Sequence, residues 1–339
     1  MKKFSALLLF TLLAITSPLA CYGSDSPGSE KVVELKFGHV VQPSHPVHQS
    51  VAFFSDKVSE YSKGRIKIKI FPARQLGDDI SLFQQVQQGS LDMACPSAAP
   101  LASFTKIATA FQMPFLGNDF DLNAKLYTSD EFQTLLSGFN EVGVKAFGAL
   151  QGGMRHLVGS KGFLKSLADL KGVKIRVAET PLLVDLFSAL GASPTPMPYG
   201  EIYTGLQNKI INAVEMDIPA LLVEKQYEVA KYVTLDAHYV WPMIMMMSVN
   251  KWNSFSPNDQ EIFKKAYFDT IKFDCENLKA RNNEAKATLS TKGVQFYEPT
   301  KKEVAAYNDA VAGVVKKYCA ADKRVAAFVE YAKRVKAGK

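Results

Sequence analysis

Hydrophobic and polar positions follow two different periods along the chain, and each period predicts an element. Apolar residues alternate with polar ones over residues 33–37 and 66–70, as in half-buried β-strands. Between them, apolar residues recur at helical spacing over residues 47–61, and Pro46 suits the first turn of such a helix. A strand, a helix and a strand in this order predict a right-handed parallel crossover.

The rest of the pattern predicts a second α/β unit and a helical C-terminal part. Strands are predicted at residues 145–150, 173–177, 213–217 and 241–249 and around Phe296, and helices at residues 181–190, 257–278, 302–318 and 325–335. The run 241–249 is continuously apolar, so we expect a buried strand that crosses back into the first unit. The stretch 282–291 is more polar than the helix before it.

The length of the chain predicts two domains. A chain of 339 residues exceeds what one hydrophobic core usually supports. We assign residues 31–151 and 242–280 to a first α/β domain. Residues 152–241 and 281–339 are assigned to a second.

The N-terminus predicts export from the cytoplasm. Two lysines precede an apolar stretch at residues 6–15, which has the length of a signal-peptide core and is too short to span a membrane. We therefore interpret residues 1–24 as a signal peptide. Cys21 leaves a lipid-anchored start as an alternative, although Pro18 stands where such signals usually carry leucine.

Charge and cysteine spacing exclude two classes of function. The formal charge of +7 falls to +5 without the two N-terminal lysines, because residues 1–24 contain no acidic residue. The basic residues are scattered and are not interleaved with aromatics as in a nucleic-acid groove, so no nucleic-acid partner is expected. The four cysteines show no zinc-type spacing, so no metal is expected. In an oxidising compartment Cys275 and Cys319 could form a disulfide, or both could be buried thiols.

No catalytic motif stands out. The chain has no G-x-S-x-G, H-E-x-x-H, P-loop or helix-opening G-x-G-x-x-G pattern. The five histidines are separated, apart from a group expected to face solvent, His39, His45 and His48. Binding is therefore favoured over catalysis, and neither enzymatic activity nor a cofactor is expected.

Arg176 is the most informative single residue. It stands in the apolar strand 173–177, where a buried guanidinium without an anion would cost several kcal/mol. Its rigid donor fork suits a carboxylate. The partner could be an internal Asp or Glu or the carboxylate of a ligand.

A topological rule adds further candidates. Sheets of this type bind ligands beyond the carboxyl ends of their strands. The rule points to the loop 39–45, which carries His39, Val40 and Gln42, and to the segment 95–98, which carries Ser97.

Ordered motifs along the chain carry a family resemblance. The matching residues are Phe71-Pro72, Gln75-Leu76-Gly77, Gln88-Gly89, Asp92-Met93, Asp169-Leu170-Lys171-Gly172, Lys174, Arg176-Val177, Gly191-Ala192, Pro194, Pro196, Glu201, Tyr203, Leu206-Gln207 and Glu215. In this order they resemble the signature of the extracytoplasmic substrate-binding proteins of TRAP (tripartite ATP-independent periplasmic) transporters. The resemblance runs from about residue 35 into the C-terminal helices.

The resemblance implies a fold and a function. It implies a periplasmic-binding-protein-like α/β fold, in which two α/β domains enclose a ligand cleft and are joined by crossing strands and a long helix. It implies a monomer in the periplasm that captures a small carboxylate and passes it to small and large membrane permease subunits. A sensory protein that presents an organic acid to a membrane receptor is the alternative, which a gene neighbourhood without permease subunits would favour.

The resemblance also implies roles for single residues. Arg176 matches the arginine that holds the ligand carboxylate, and Arg155 resembles a second arginine near the same group. Tyr199 matches an aromatic under the ligand, and His238 a histidine before the hinge strand. Glu215 matches a residue at the cleft floor that pairs with arginine or, in some members, helps to hold a cation; we expect arginine pairing.

Three positions bear on which acid is bound. Met216 replaces an asparagine, and Val40 a polar residue, of the sialic-acid-binding relatives. Sialic acid is therefore disfavoured, and a smaller or less hydroxylated acid is suggested. Asp217 could recognise a hydroxyl or an ammonium group, or could pair with Arg155.

Overall fold

The two predicted α/β units share one continuous sheet. A computed structural model describes residues 32–338, so the predicted signal peptide and Cys21 lie outside the described residues. The strands are β1 Val33–Gly38, β2 Ile66–Phe71, β3 Met93–Ala94, β4 Val144–Gly159, β5 Lys174–Val177, β6 Ser193–Pro196, β7 Ala213–Asp217, β8 Tyr232–Ser248 and β9 Gln295–Tyr297. Their order is β2-β1-β3-β8-β4-β7-β5-β6, and β9 pairs with β8 off this path.

Helices cover both faces of the sheet. They are α1 Pro46–Tyr61, α2 Asp79–Gln88, α3 Ala98–Leu101, α4 Phe120–Tyr127, α5 Asp130–Ser137, α6 Leu167–Leu170, α7 Pro181–Ala189, α8 Ile202–Gln207, α9 Ile218–Val223, α10 Val249–Asn253, α11 Pro257–Thr291, α12 Lys301–Ala321 and α13 Lys323–Lys336. Short 3-10 helices lie at Lys106–Gln112, Gly138–Val142, Tyr199–Glu201 and Gln226–Glu228.

Strand pairing defines two lobes. In the first lobe, β1 runs parallel to β2 with Val33 opposite Ile66, which confirms the predicted crossover through α1. In the second lobe, β5 runs parallel to both β6 and β7. The two long strands β4 and β8 pair antiparallel at the centre and pass through both lobes. They are the crossing strands that the family resemblance implied. The predicted boundaries of the two domains stay a prediction.

The long helix α11 spans both lobes. It packs on α1 and β4 and also on α9. It continues through the polar stretch 282–291, because Ala285 and Leu289 are buried and extend the apolar stripe that includes Leu278. Its N-terminus is capped by the Ser256 hydroxyl, which accepts from the Asp259 amide. Among residues 32–338, no helix has the length and apolarity needed to cross a membrane.

The interpretation of the N-terminal histidines as solvent-facing is wrong for two of them. His39 and His45 are fully buried, and His48 is partly buried. His45 is the N-cap residue of α1, where its Nδ1 accepts from the Val47 amide at 3.2 Å. The loop after β1 therefore packs into the interior of the protein.

Candidate functional site

A small cavity lies where the carboxyl ends of β5 and β7 meet the central strands. Its lining residues are Asp79, Ser97, Pro100, Arg155, Arg176, Ala178, Glu179, Tyr199, Glu215, Tyr239 and Trp241. They come from both lobes and from β4 and β8. The cavity has a volume of about 20 Å³, enough for about one water molecule. A groove of about 690 Å³ lies elsewhere, between α12, α13 and residues 113–116, but its charged groups are surface lysines and Glu330. Buried, converging charges make the small cavity the candidate site.

Arg155 is held on all sides by the protein. From β4, its Nε donates to the Glu215 carboxylate at 2.6 Å, and its Nη1 to Asp217 at 2.9 Å. Its Nη2 donates to the Glu215 carbonyl oxygen at 2.5 Å. Burial acts to lower the pKa of Arg155, but Glu215, Tyr239 and Asp217 outweigh it and raise the pKa above its usual value. This guanidinium organises the site and has few donors left for a ligand.

Asp217 has two partners besides Arg155. Its Oδ1 accepts from the Ala220 amide at 2.8 Å and so caps the N-terminus of α9. The same oxygen lies 3.5 Å from Nε2 of His45, which belongs to the first lobe. Burial acts to raise the pKa of Asp217, but His45, Arg155 and the Ala220 amide together lower it. Of the two roles expected for Asp217, the structure shows the pairing with Arg155.

The guanidinium of Arg176 donates fewer hydrogen bonds than that of Arg155. On β5, its Nε donates to the Met197 carbonyl oxygen at 2.9 Å, and its Nη1 reaches Glu215 only at 3.5 Å. Nη2 donates to no group within residues 32–338. Burial lowers the pKa of Arg176, and its contact with Glu215 compensates only in part. Since arginine stays protonated in proteins, the cavity contains a buried cation with unused donors.

Aromatic side chains form one wall of the cavity. The rings of Tyr199 and Trp241 stack with centroids 5.6 Å apart. The Trp241 indole N–H donates to the Ser97 hydroxyl at 2.8 Å, which fixes the ring. The Tyr239 hydroxyl donates to Glu215 at 3.1 Å. The Tyr199 hydroxyl is buried and has no hydrogen-bond partner in the described part of the chain.

Two carboxyl groups lie in the wall near Arg176. Asp79 begins α2, is 8% exposed and accepts from the Ser97 amide at 2.8 Å. Burial raises the pKa of Asp79 to about 6. Glu179 follows β5, and partial burial raises its pKa despite the nearby Arg176. The cavity can therefore offer hydrogen-bond donors from Arg176 and hydrogen-bond acceptors from Asp79 and Glu179.

Five of the eleven predicted site residues line this cavity. They are Arg155, Arg176, Tyr199, Glu215 and Ser97. Met216 lies behind the cavity, where its sulfur is 3.4 Å from Nη1 of Arg155. His238 is also behind the wall, with Nδ1 2.8 Å from Asp236.

The predicted residues of the loop after β1 lie outside the cavity and make contacts of their own. His39 pairs its Nε2 with Nδ1 of His48 at 3.0 Å. Val40 is buried, and its carbonyl oxygen accepts from Arg74 at 3.0 Å. The Gln42 carbonyl oxygen accepts from the His45 amide at 2.9 Å. None of these three side chains lines the cavity.

Sequence reasoning missed Asp79, Glu179, Tyr239 and Trp241. Glu179 could have been found, because it lies directly beyond the carboxyl end of a predicted strand. Trp241 and Tyr239 lie on the face of β8 that the pairing with β4 turns toward the cavity, and the sequence holds no signal for that pairing. Asp79 approaches Arg176 only through the tertiary fold.

No metal site and no disulfide accompany the cavity within residues 32–338. No group of three or more His, Cys, Asp or Glu side chains in this range could hold a metal ion. Cys95, Cys275 and Cys319 are free thiols, and the Cys275 sulfur lies 3.4 Å from Asp121. Of the two alternatives for Cys275 and Cys319, the structure has unpaired thiols, with Cys319 only partly buried.

Known proteins resemble the chain over most of its length. A 2,3-diketo-L-gulonate-binding periplasmic protein of Escherichia coli is 29% identical over 243 residues, which cover 72% of this chain and 73% of that protein. A TRAP periplasmic solute-binding protein of Bradyrhizobium, solved with galacturonate, is 28% identical with a TM-score of 0.84 and covers 88% of this chain and 99% of its own.

A third relative binds a related compound. The sugar acid-binding protein of Advenella mimigardefordensis, solved with galactonate, has a TM-score of 0.84 and 26% identity over 90% of this chain and 99% of its own. The model of the family described as bacterial extracellular solute-binding protein, family 7, matches residues 37–322. The chain therefore belongs to this family of TRAP-type solute-binding proteins, whose members bind small organic acids for transport and are not enzymes.

Proposed function

We propose that the chain captures a hydroxylated monocarboxylic acid of the sugar-acid type in the periplasm and delivers it to the membrane subunits of a TRAP transporter. The observation that carries the proposal is the unused donor set of Arg176 in a buried cavity. The three relatives described above are named for, or solved with, sugar acids. Export to the periplasm is supported by the N-terminal pattern of the sequence.

The ligand carboxylate is assigned to Arg176. Its Nη2 and the second hydrogen of Nη1 form the two-pronged donor that a carboxylate accepts. Arg155 lies on β4, which β7 separates from the strand of Arg176, and it donates its hydrogen bonds to Glu215 and Asp217. Binding of the acid would give the buried Arg176 a full ionic partner, which Glu215 at 3.5 Å supplies only weakly.

The hydroxyl groups of the ligand are assigned to the acceptors of the same wall. Asp79 and Glu179 can accept hydrogen bonds from hydroxyls, and the buried Tyr199 hydroxyl lacks a partner of its own. The stacked Tyr199 and Trp241 rings offer an apolar face to the C–H groups of a sugar ring. The expectation of a less hydroxylated acid rested on Met216 and Val40, and neither side chain lines the cavity.

The lobes must part before a ligand enters. A cavity of about 20 Å³ holds about one water molecule and cannot hold a sugar acid. We therefore assign the described arrangement to a closed form, and we infer that entry and release occur through hinge motion about β4, β8 and α11. The closed, loaded form of a monomer is then the form that the membrane subunits recognise.

A thermal-shift screen tests the proposal. The panel contains D-galacturonate, D-glucuronate, D-galactonate, 2,3-diketo-L-gulonate, succinate and sialic acid, with D-galactose as the neutral control. A bound acid at a hundred times its dissociation constant adds about 2.7 kcal/mol of stability, so at least one sugar acid should raise Tm clearly. Addition of EDTA should leave that shift unchanged, because arginine and not a cation holds the carboxylate. Stabilisation by succinate alone, or by D-galactose, would contradict the proposal.

A further inference from the structure

One ion pair joins the two lobes outside the cavity. Arg74 lies in the turn after β2 and donates from Nη1 and Nη2 to the two carboxylate oxygens of Glu224, at 3.2 and 3.4 Å. Glu224 is the C-cap residue of α9 in the second lobe. Their side chains are only 25% and 14% exposed, and the geometry is two-pronged, so solvent screens this pair less than a surface pair.

The same guanidinium also touches the wall of the cavity. Nη1 of Arg74 donates to the carbonyl oxygen of Val40, in the first lobe, at 3.0 Å. Its central carbon lies 5.5 Å from the centre of the Tyr199 ring, in the second lobe, at cation–π distance. Tyr199 in turn stacks on Trp241. Arg74 is thus fixed by groups from both lobes and backs the aromatic wall.

The backbone adopts an unfavourable conformation at this point. Ala73 and Arg74 have φ of 53° and 65°, the left-handed region that disfavours residues with a Cβ. The turn is tied down by the Ala73 amide, which donates to the Val41 carbonyl oxygen at 2.8 Å. The Arg74 amide donates to the His39 carbonyl oxygen at 3.3 Å, so backbone hydrogen bonds fix the turn that presents the Arg74 side chain to the cleft.

We propose that the Arg74–Glu224 pair is a latch that holds the lobes closed. In the free protein it raises the closed population. When an acid is bound, the ion pair slows its release, and this part of the inference rests on the proposed function. The helix α9 is then held to the first lobe at both ends, by His45 near Asp217 at its N-terminus and by Arg74 at its C-terminus.

Spin-label distances between the lobes test the latch. Labels are placed on cysteines that replace Gln84 on α2 and Thr204 on α8, both of which are exposed. Cys319 is changed to serine, Cys95 and Cys275 are buried, and Cys21 belongs to the interpreted signal peptide. Pulsed electron double resonance then gives the short-distance (closed) and long-distance (open) populations of the mature chain, free and with D-galacturonate as probe at about 10 mM, which is about ten times a dissociation constant of about 1 mM.

Loss of either charge should open the molecule. Glu224→Gln and Arg74→Gln should each raise the open-to-closed ratio by roughly three- to tenfold, as expected for a partly buried two-pronged ion pair. The double variant should show no further rise, because both changes remove one interaction. Asp185→Asn is the control, since it breaks an ion pair with Lys317 that lies within the second lobe, between α7 and α12.

The salt dependence of the closed population provides a second measurement. Raising NaCl from 0.1 to 1 M shortens the screening length from about 10 to about 3 Å, so the wild-type protein should shift toward the open distribution and Glu224→Gln should not. Distributions unchanged by either substitution, additive effects in the double variant, or a wild-type protein that is open in both conditions would overturn the latch. Failure of D-galacturonate to bind counts against the proposed ligand class, and the free-protein comparison then decides on the latch alone.

Discussion

Arg155 and Arg176 lie in the same cavity but use their guanidinium groups differently. Arg155 donates to Glu215 and Asp217 at 2.6 and 2.9 Å and has the raised pKa of a fully paired cation. Arg176 has its pKa lowered by burial, because its one carboxylate contact is long. The first residue builds the site, and the second is assigned to the ligand. The sequence predicted that Arg176 is buried in a strand, which the structure confirms, whereas the different hydrogen bonding of the two arginines depends on atomic distances.

Asp79 gives a pH-dependent prediction at the same scale. Asp79→Asn should stabilise the free protein at pH 8 by about 1–3 kcal/mol, at 1.36 kcal/mol per pKa unit. Its folded pKa of about 6 lies above the ordinary value of 3.8, so the folded protein binds the proton more tightly than the unfolded chain. Stability due to this group is complete at low pH and is lost as pH rises from about 4 through about 6.

Urea unfolding at pH 4 and pH 8 checks this expectation. The gain from Asp79→Asn should be present at pH 8 and nearly absent at pH 4. The neighbouring exposed N-cap residue Asp78 is the control, because asparagine caps a helix as well as aspartate does. An equal gain at both pH values would mean that burial does not govern the carboxyl of Asp79.

At the scale of elements, the central strand β4 packs tightly on the long helix α11. The Tyr267 hydroxyl on α11 donates to the Tyr127 carbonyl oxygen at 3.0 Å and accepts from the Ala149 amide at 3.1 Å. Its ring occupies the space where a side chain at Gly148 would begin. This contact joins the first lobe to the helix that spans both lobes.

Substitution at Gly148 tests the packing. Gly148→Ala should lower the free energy of unfolding by about 1–3 kcal/mol, because its methyl group would overlap a buried ring whose hydroxyl is held by one donated and one accepted hydrogen bond. Gly162→Ala is the control, since nothing lies within 4 Å of its Cβ position. Both values come from chemical denaturation at one pH. An unchanged midpoint for Gly148→Ala would show that β4 and α11 can separate at no cost.

Local sequence patterns predicted where the helices and strands lie better than they predicted which elements pack together. The period-two and helical patterns placed β1, α1 and β2 within a few residues, because each signal lies inside its own element. The pattern underestimated α11, whose polar last turns are kept helical by the buried Ala285 and Leu289. Trp241 and Tyr239 face the cavity only because β8 pairs with β4 in one register, with Trp241 opposite Gly153 and Tyr239 opposite Arg155. Asp79 lies near Arg176 only because α2 of the first lobe and β5 of the second lobe meet at the cavity.

At the scale of the whole molecule, two lobes enclose the candidate site. The cavity lies where β4 and β8 pass between the lobes, so a ligand there touches both and favours the closed form. The buried charges lie on the strands, whereas the Arg74–Glu224 latch lies at the rim. Recognition and closure are therefore assigned to different residues, and variants can separate them.

Calorimetry on Arg176 variants tests the central claim most directly. Wild-type protein is titrated with the acid that stabilises it most in the screen and with the matching neutral sugar, and Arg176→Lys and Arg176→Ala are titrated with the acid. The wild type should bind the acid and not the neutral sugar, and both variants should lose about two orders of magnitude or more in affinity, because a point charge cannot replace the two-pronged donor. Near-normal affinity in Arg176→Ala with lowered unfolding stability, or equal binding of the neutral sugar, would contradict the account and make Arg176 an internal partner of Glu215.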